Sequence, residues 1–227
     1  MATESQEFYG RWARLYDLIA RRTPGIARLR RRAAAACRLE SGDTVVEMGC
    51  GTGANLPFLR EQVGPEGTVI GIDFTRPVLE RARAATADYD NVHVLQGDAM
   101  QPPLAADAPG EIDAVLATFV VGMLVGPADA VDDWCDLVGP EGTVVLANAA
   151  PSREWYAPPV NAVFRAIVVL STPPTIQLRY EDDPARRLEQ KIDAAHTRLR
   201  ERAVAVADET HLFGVVRLTG GQLGRPA

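Results

Sequence analysis

Residues 45–59, VVEMGCGTGANLPFL, pass from a hydrophobic run directly into three glycines and then into a helix-like pattern. Glycines at such a point let a strand turn sharply and let a ligand contact the main chain. Several nucleotide-like ligands require a backbone of this kind. The stretch therefore predicts a ligand-binding loop after a strand, without choosing among those ligands.

The size and composition of the chain restrict its class. Its 227 residues are enough for one α/β domain with a sizeable core. The formal net charge of -6 gives no support to nucleic-acid binding, because a basic excess is missing. The three cysteines have neither CxxC nor zinc-ligand spacing, so we expect a reduced cytoplasmic protein without a metal site. The N-terminus lacks the apolar stretch of a signal peptide, and no run reaches the roughly 18 apolar residues of a spanning helix.

Apolar runs alternate with helical patterns from residue 44 onward. The runs are rich in Val, Ile and Leu without clean alternation, which favours strands covered on both faces of a parallel sheet with right-handed crossovers. The candidate strands are 44–48, 68–72, 92–95, 114–117 and 143–147. The candidate helices are 55–62, 76–85, 128–137 and 184–202. This order predicts a single doubly wound α/β domain over residues 1–227.

Two segments depart from the strand–helix order. Residues 1–39 are predicted to form a helical N-terminal extension, broken at the Thr-Pro-Gly sequence of residues 23–25. Residues 150–182 are proline-rich and apolar, and we expect them to form a lid insertion before the last two strands. Two apolar segments, 203–207 and 212–218, are the candidates for those strands.

Two classes of ligand fit the glycine loop. The sequence GCGTGA, residues 49–54, matches the dinucleotide pattern GxGxxG/A, which requires an acidic residue about 20 positions later. Asp73 stands at that distance, but its carboxylate would accept both ribose hydroxyls of S-adenosylmethionine equally well. An NAD-dependent oxidoreductase and an S-adenosylmethionine-binding protein are both open at this point.

Two further carboxylates favour S-adenosylmethionine. Glu47 lies inside the strand, two positions before the first glycine, and a buried carboxylate is costly unless it meets a donor. The ammonium group of the cofactor's methionine part would supply that donor. Asp98 closes the third strand, where its carboxylate can accept from an exocyclic amine while Ala99 and Met100 cover the ring face.

Five segments together resemble the class I S-adenosylmethionine-dependent methyltransferases, in the family's order and approximate spacing. They are VVEMGCGTG, GTVIGIDFT, VHVLQGDAM, IDAVLATFVVGML and GPEGTVVLAN. The resemblance covers residues 43–148 well and the C-terminal third weakly. It implies the Rossmann-like methyltransferase fold, a seven-stranded and mostly parallel sheet whose last strand runs antiparallel.

The resemblance also implies roles for individual residues. The glycine loop would wrap the methionine part, Asp73 would bind ribose, Asp98 with Ala99 would hold adenine, and Thr118 would approach the sulfonium. The implied cofactor contacts are Glu47, Gly49, Gly51, Thr52, Gly53, Asp73, Phe74, Asp98, Ala99 and Thr118. Plainer alternatives exist: turn glycines, a helix cap at Asp73, and a strand-end hydroxyl at Thr118. We assign no catalytic residue, because the cofactor carries the activation and the enzyme's main task is alignment in a dry pocket.

The acceptor has to be inferred from the cover of the pocket. Tyr9, Trp12 and Tyr16 recur at helical spacing and form a YxxWAxxYD-like opening, which resembles family members that methylate quinone precursors or phospholipid head groups. Tyr9, Tyr16 and Phe119 are therefore the candidate acceptor contacts. The alternative is that the aromatic residues only attach the extension to the sheet. The apolar lid also suits a hydrophobic acceptor, although it would serve equally as a core helix.

Residues 21–32, RRTPGIARLRRR, hold six arginines. The plain interpretation is a solvated helix face, and the alternative is a dock for an anionic membrane surface. Together these features predict methyl transfer from S-adenosylmethionine to a small, hydrophobic or lipid-linked acceptor by a cytoplasmic, membrane-peripheral enzyme that binds no nucleic acid. The alternatives are an NAD-dependent oxidoreductase and a catalytically silent, cofactor-binding relic of the fold.

Overall fold

The computed structural model describes residues 25–104, 112–171 and 184–224, which form one seven-stranded sheet with helices on both faces. The strands are β1 (Thr44–Met48), β2 (Thr68–Asp73), β3 (Val92–Gln96), β4 (Ile112–Thr118), β5 (Val138–Ala149), β6 (Ala205–His211) and β7 (Val216–Gln222). The helices are α1 (Ile26–Ala36), α2 (Leu56–Val63), α3 (Arg76–Ala85), α4 (Pro127–Leu137), α5 (Ala157–Ser171) and α6 (Pro184–Arg202), with a 3-10 turn at Val121–Met123.

The strand order is β3-β2-β1-β4-β5-β7-β6, and β7 runs antiparallel to both of its neighbours. The predicted fold class, including the antiparallel last strand, is therefore confirmed. The chain moves outward from β1 to β3 and then returns to β4 on the other side of β1. In such a sheet the crevice at the carboxyl ends of β1 and β4 is the place where ligands bind.

Successive residues of the central strands pack on opposite faces of the sheet. Val45 joins Leu56 and Leu59 in the cluster under α1, α2 and α3, whereas Val46 joins Trp134 and Leu199 in the cluster under α4 and α6. Burying a large apolar side chain completely stabilises the fold by about 1.5–3 kcal/mol. Both faces are therefore covered, which explains the continuous hydrophobic runs in the sequence.

Three strands differ most from their predicted bounds. β5 begins at Val138, before the predicted residue 143, because its pairing with β4 continues past an irregularity between Ile112 and Ala114. β6 and β7 each begin inside a predicted apolar segment and end beyond it, since β6 is a charged edge strand and β7 contains two glycines in succession. A Cβ at Gly221 would lie 2.8 Å from the Leu199 side chain, so the glycine allows α6 to pack closely on β7.

The two segments that depart from the alternating order are described only in part. Residues 1–24 lie outside the described residues, and with them the candidate acceptor contacts Tyr9 and Tyr16. Helix α1 follows Gly25, whose φ of 88° matches the predicted break. The predicted lid contains α5 and otherwise extends into residues 172–182, which are not described, so its role as a lid stays a prediction. Within the described ranges, no helix is both long and apolar enough to cross a membrane.

The three cysteines, Cys37, Cys50 and Cys135, are buried and make no disulfide. Burial raises the pKa of the Cys135 thiol to about 11 and raises the pKa of the other two well above the ordinary range. These thiols are therefore protonated at neutral pH and weakly nucleophilic.

A buried histidine connects α6 to the sheet. The His196 ring nitrogens lie 2.7 Å from Thr219 Oγ1 and 3.2 Å from Asn148 Oδ1. Burial, followed by the charges of Arg200 and Arg217, lowers the His196 pKa to about 4. The folded protein therefore holds a neutral imidazole at pH values where an unfolded chain, with a pKa near 6.5, is protonated.

This depressed pKa predicts a pH-dependent contribution to stability. The contribution is complete above pH 6.5 and falls as the pH drops toward 4, where the loss reaches about 3 kcal/mol. The free energy of unfolding in urea is measured at pH 7, 6 and 5 for wild type and for His196→Gln. The difference between the two proteins should shrink by about 2 kcal/mol between pH 7 and pH 5. The exposed His93, replaced as His93→Gln, is the control. A constant difference between wild type and His196→Gln would contradict the assignment.

Candidate functional site

The carboxyl ends of β1, β2 and β4 bring the predicted cofactor residues to one edge of the sheet. Glu47 in β1 stands opposite Gly71 of β2 and Leu116 of β4. Asp73 ends β2 and Thr118 ends β4, so both lie at the same edge as the glycine loop. The positions predicted from sequence thus converge around the crevice between β1 and β4.

The three loop glycines have different physical roles. All three have positive φ, 68° at Gly49, 54° at Gly51 and 75° at Gly53. A Cβ at Gly49 would lie 2.6 Å from Val120, and one at Gly53 would lie 3.0 Å from Ala82, so these two glycines are required by packing. A Cβ at Gly51 would have no atom within 4 Å. The open space required for a ligand therefore lies at Gly51.

The Glu47 carboxylate is the most buried charge of the site, with 1 % of the residue exposed. Its Oε1 accepts a hydrogen bond from Asn55 Nδ2 and a second, at 3.3 Å, from Thr118 Oγ1. Asn55 Nδ2 also donates to Thr118 Oγ1 at 2.8 Å. Arg30 Nη1 donates to Asn55 Oδ1 at 2.7 Å, which completes a buried polar network.

This network leaves one carboxylate oxygen without a partner. Glu47 Oε2 is buried and makes no hydrogen bond to any of the described residues. Burial raises the Glu47 pKa to about 7, against the opposing effects of the Asn55 hydrogen bond and the Arg30 charge. A buried acceptor without a donor costs about 1–3 kcal/mol, more when it is charged, so Oε2 fits a cationic ligand group.

Asp73 is held by two backbone donors. Gly51 N donates to Asp73 Oδ2 at 3.0 Å, and Thr75 N donates to Oδ1 at 2.8 Å. The carboxylate therefore does link to the start of α3, as the capping alternative proposes, but it also fixes the glycine loop. Burial raises the Asp73 pKa. The next residue, Phe74, is 43 % exposed and offers an apolar surface beside the carboxylate.

The segment after β3 is held by a hydrogen bond from α4. Trp134 Nε1 donates to Ala99 O at 2.8 Å, and both residues are buried. Asp98 is exposed, and its Oδ1 accepts from Met100 N at 2.9 Å. Asp98 thus also stabilises a turn through Oδ1, while Oδ2 can accept from a ligand.

Phe119 follows Thr118 with a φ of 59°, an uncommon conformation for a bulky residue. Its N–H donates to Ala147 O at 2.7 Å, and its ring packs against Ile26 and Leu29 of α1. Strain of this kind costs about 1–3 kcal/mol and is found mainly at functional sites. The candidate acceptor residue Phe119 therefore lies between the cofactor edge and the N-terminal helix.

Arg30 and Asn55 are site residues that the sequence did not reveal. The arginine cluster suggested a solvated or membrane-facing role for Arg30, and this is wrong, because Arg30 is only 9 % exposed and bonds to Asn55. Asn55 precedes a helix and reads as an ordinary cap. Arg30 is 25 residues away from it, so only the packing of α1 on α2 brings the two together.

The residues present fit S-adenosylmethionine. The unpartnered Glu47 oxygen is suited to the ammonium group, and the space at Gly51 is suited to the methionine backbone. Asp73 retains lone pairs for ribose hydroxyls beside the exposed Phe74 ring. These contacts are expectations from the geometry of the protein alone.

Residues 45–142 match the model of a family described as "Methyltransferase domain". Nocamycin O-methyltransferase of Saccharothrix syringae is 34% identical over 145 residues, which cover 60% of this chain and 51% of the relative. Demethylmenaquinone methyltransferase of Listeria monocytogenes is 34% identical over 134 residues, with 58% and 55% covered. The chain thus spans about half the length of these two curated relatives.

Solved structures share the fold along most of the chain. A putative S-adenosylmethionine-dependent methyltransferase from Methanococcus maripaludis has a TM-score of 0.66 at 16% identity, covering 100% of this chain and 99% of that one. A SAM-dependent methyltransferase from Aquifex aeolicus has a TM-score of 0.60 at 17% identity, with 88% and 93% covered. The chain thus shares the fold of solved S-adenosylmethionine-dependent methyltransferases, and residues 45–142 match a methyltransferase domain family.

Proposed function

We propose that this protein transfers the methyl group of S-adenosylmethionine to a small hydrophobic or lipid-linked acceptor, a quinone precursor or a phospholipid head group. The observation that carries methyl transfer is the buried Glu47 oxygen without a partner, beside the open space at Gly51. A dinucleotide offers no ammonium group for that oxygen. The site therefore favours S-adenosylmethionine over NAD.

The protein's contribution to the reaction is placement and exclusion of water. When bound, the cofactor supplies a methyl group on a cationic sulfur, which an acceptor lone pair or carbanion displaces in line. The protein would hold the ammonium end at Glu47 and the ribose at Asp73, which fixes the position of the methyl group. Orientation of this kind can supply about 7–11 kcal/mol of the barrier reduction without a catalytic base.

Apolar side chains at the carboxyl edge support a hydrophobic acceptor. Trp155 is 90 % exposed and Phe213 is 74 % exposed. The turn that carries Phe213 lies beside residues 152–154, because a Cβ at Gly214 would contact Ser152 and Glu154. The similarity to demethylmenaquinone methyltransferase supports a quinone-type acceptor.

We also propose peripheral contact with an anionic membrane, through the exposed Arg28 and Arg31 of α1. Two further arginines of the cluster are engaged within the protein. Arg30 bonds to Asn55, and Arg32 pairs with Glu209 at 2.6 Å. The membrane-facing charge is therefore smaller than the sequence cluster suggests.

The proposed activity has a direct test. Purified protein and S-adenosylmethionine are added to a lipid extract and to an aqueous extract of cells, and products that gain one methyl group are identified by mass spectrometry. We expect new products in the lipid extract. S-adenosylhomocysteine should raise the melting temperature and NAD should not. The reverse thermal result would support an oxidoreductase, whereas cofactor binding without any methylated product would support a silent relic.

Gly51→Ala should abolish cofactor binding while destabilising the fold about as much as Gly42→Ala does. The added methyl group would enter the space left for the ligand, and the positive φ would cost about 1–2 kcal/mol of unfolding free energy. Gly42→Ala is the matched control, because Gly42 also has a positive φ and open space but lies before β1. Calorimetry should show lost S-adenosylhomocysteine affinity for Gly51→Ala alone. Equal affinities for both variants would remove Gly51 from the site.

Deleting residues 1–20 should separate binding from transfer. The truncated chain keeps α1 and Arg30, so its S-adenosylhomocysteine affinity should stay within about twofold of the full chain. Turnover should fall by more than about tenfold, because the acceptor loses its alignment and water enters the pocket. Both quantities are measured on the same preparation. Full turnover by the truncated chain would show that the aromatic residues of the extension serve packing only.

Arg28→Glu combined with Arg31→Glu should weaken binding to anionic vesicles. The expected loss is about 1 kcal/mol for each positive charge removed, and more for the added negative charges. High salt should reduce wild-type binding in the same direction. Arg76→Glu with Arg81→Glu makes an equal charge change on α3, which contacts β2 and β3 whereas α1 contacts α2 and β5. Sedimentation with vesicles should distinguish the pairs, and equal losses would refute a specific membrane face.

A further inference from the structure

Asn55 occupies a helix-cap position without acting as a cap. It directly precedes α2, where asparagine usually accepts hydrogen bonds from the first helical N–H groups. Its side chain makes no such bond. It is instead buried between Arg30, Glu47 and Thr118. A residue that gives up its usual local role is expected where a function requires another one.

Arg30 determines which way the Asn55 amide faces. An amide has one accepting oxygen and one donating nitrogen, whereas a guanidinium can only donate. The 2.7 Å bond from Arg30 Nη1 therefore requires Asn55 Oδ1 on the side of α1. The amide nitrogen must then face Glu47 and Thr118, as observed.

The oriented amide in turn fixes the Glu47 carboxylate. Oε1 accepts from Asn55 and from Thr118, while Oε2 makes no hydrogen bond to the described residues. A single defined oxygen is thus presented to a ligand. Arg30 belongs to α1, outside the matched methyltransferase domain, so a helix of the N-terminal extension controls a group of the cofactor site.

The charges around Glu47 come from α1 and β2. Arg30 on α1 favours its ionised form, and Asp73 at the end of β2 opposes it. The buried thiols of Cys37 and Cys50 also interact with Glu47, but their raised pKa values keep them neutral. Among these groups Arg30 is the cation, so its removal should make ionisation of Glu47 harder.

We propose that Arg30 and Asn55 are positioning residues, which hold the Glu47 carboxylate ready for the cofactor's ammonium group and so couple helix α1 to cofactor binding. The inference rests on the cofactor placement proposed above. It adds that Arg30, a residue of the extension, determines which Glu47 oxygen is presented to the ammonium group.

The test is the pH dependence of S-adenosylhomocysteine affinity, measured by calorimetry between pH 6 and pH 8.5. Wild-type affinity should rise about tenfold across a midpoint near 7 as Glu47 ionises. Arg30→Met should be at least about fivefold weaker at pH 7, with its midpoint moved to higher pH and the gap narrowing toward pH 8.5. Arg30→Lys retains the charge, so its pH midpoint should lie close to the wild-type value. Glu47→Gln should remove the pH dependence.

Arg32→Met is the matched control, since Arg32 is exposed on the same helix and its guanidinium pairs with Glu209. It should keep the wild-type affinity and midpoint. Asn55→Asp gives a second route if Arg30→Met does not fold, because it keeps the pair with Arg30 but replaces the amide donor by a like charge. A midpoint at higher pH in Asn55→Asp than in wild type supports the proposal.

The outcomes separate this inference from the proposed function. A wild-type chain that binds no S-adenosylhomocysteine overturns both. A wild-type chain that binds it, with an unchanged midpoint in Arg30→Met, or in Asn55→Asp where Arg30→Met does not fold, overturns the positioning role alone. A midpoint that moves equally in Arg32→Met would assign the effect to general surface charge and would also overturn it.

Discussion

The burial of the Glu47 carboxylate at the end of β1 is the constraint on which the arrangement of the site depends. Moving a charge out of water costs several kcal/mol even after the protein relaxes, so donors have to be brought to it. They come from the start of α2 and the end of β4, and α1 supplies the arginine behind them. One buried charge therefore determines how four elements meet.

The glycine loop that follows β1 is constrained by the space around it. Two of its glycines are needed because a side chain would collide with Val120 or Ala82, and only the glycine between them faces open space. The first and last glycines thus let the loop pack closely against Val120 and α3, which leaves open space at the middle one. The N–H of that middle glycine donates to Asp73 at the end of β2. The loop is rigid on both sides of the position where a ligand would lie.

The fold and much of the edge could be predicted from sequence because both depend on local patterns. Strands covered on two faces give continuous apolar runs, and a glycine-rich turn has few alternatives. The Arg30–Asn55 contact could not be predicted, since it joins distant residues through the packing of two helices. The bounds of β6 and β7 were predicted wrongly for a related reason. A charged edge strand and a strand with two successive glycines owe their structure to strand pairing and to the approach of α6.

The burial of Cys50 has a consequence for observing the loop in solution. This thiol sits between Gly49 and Gly51, and its raised pKa keeps it protonated while the loop is closed. A thiolate forms readily only when the segment swings out into water, so alkylation of Cys50 proceeds at the rate at which that happens. Cys50 is thus a natural chemical reporter within the glycine loop, the segment proposed to contact the cofactor. The alkylation rate of Cys50 would therefore report how often the glycine loop opens, without a probe attached to the chain.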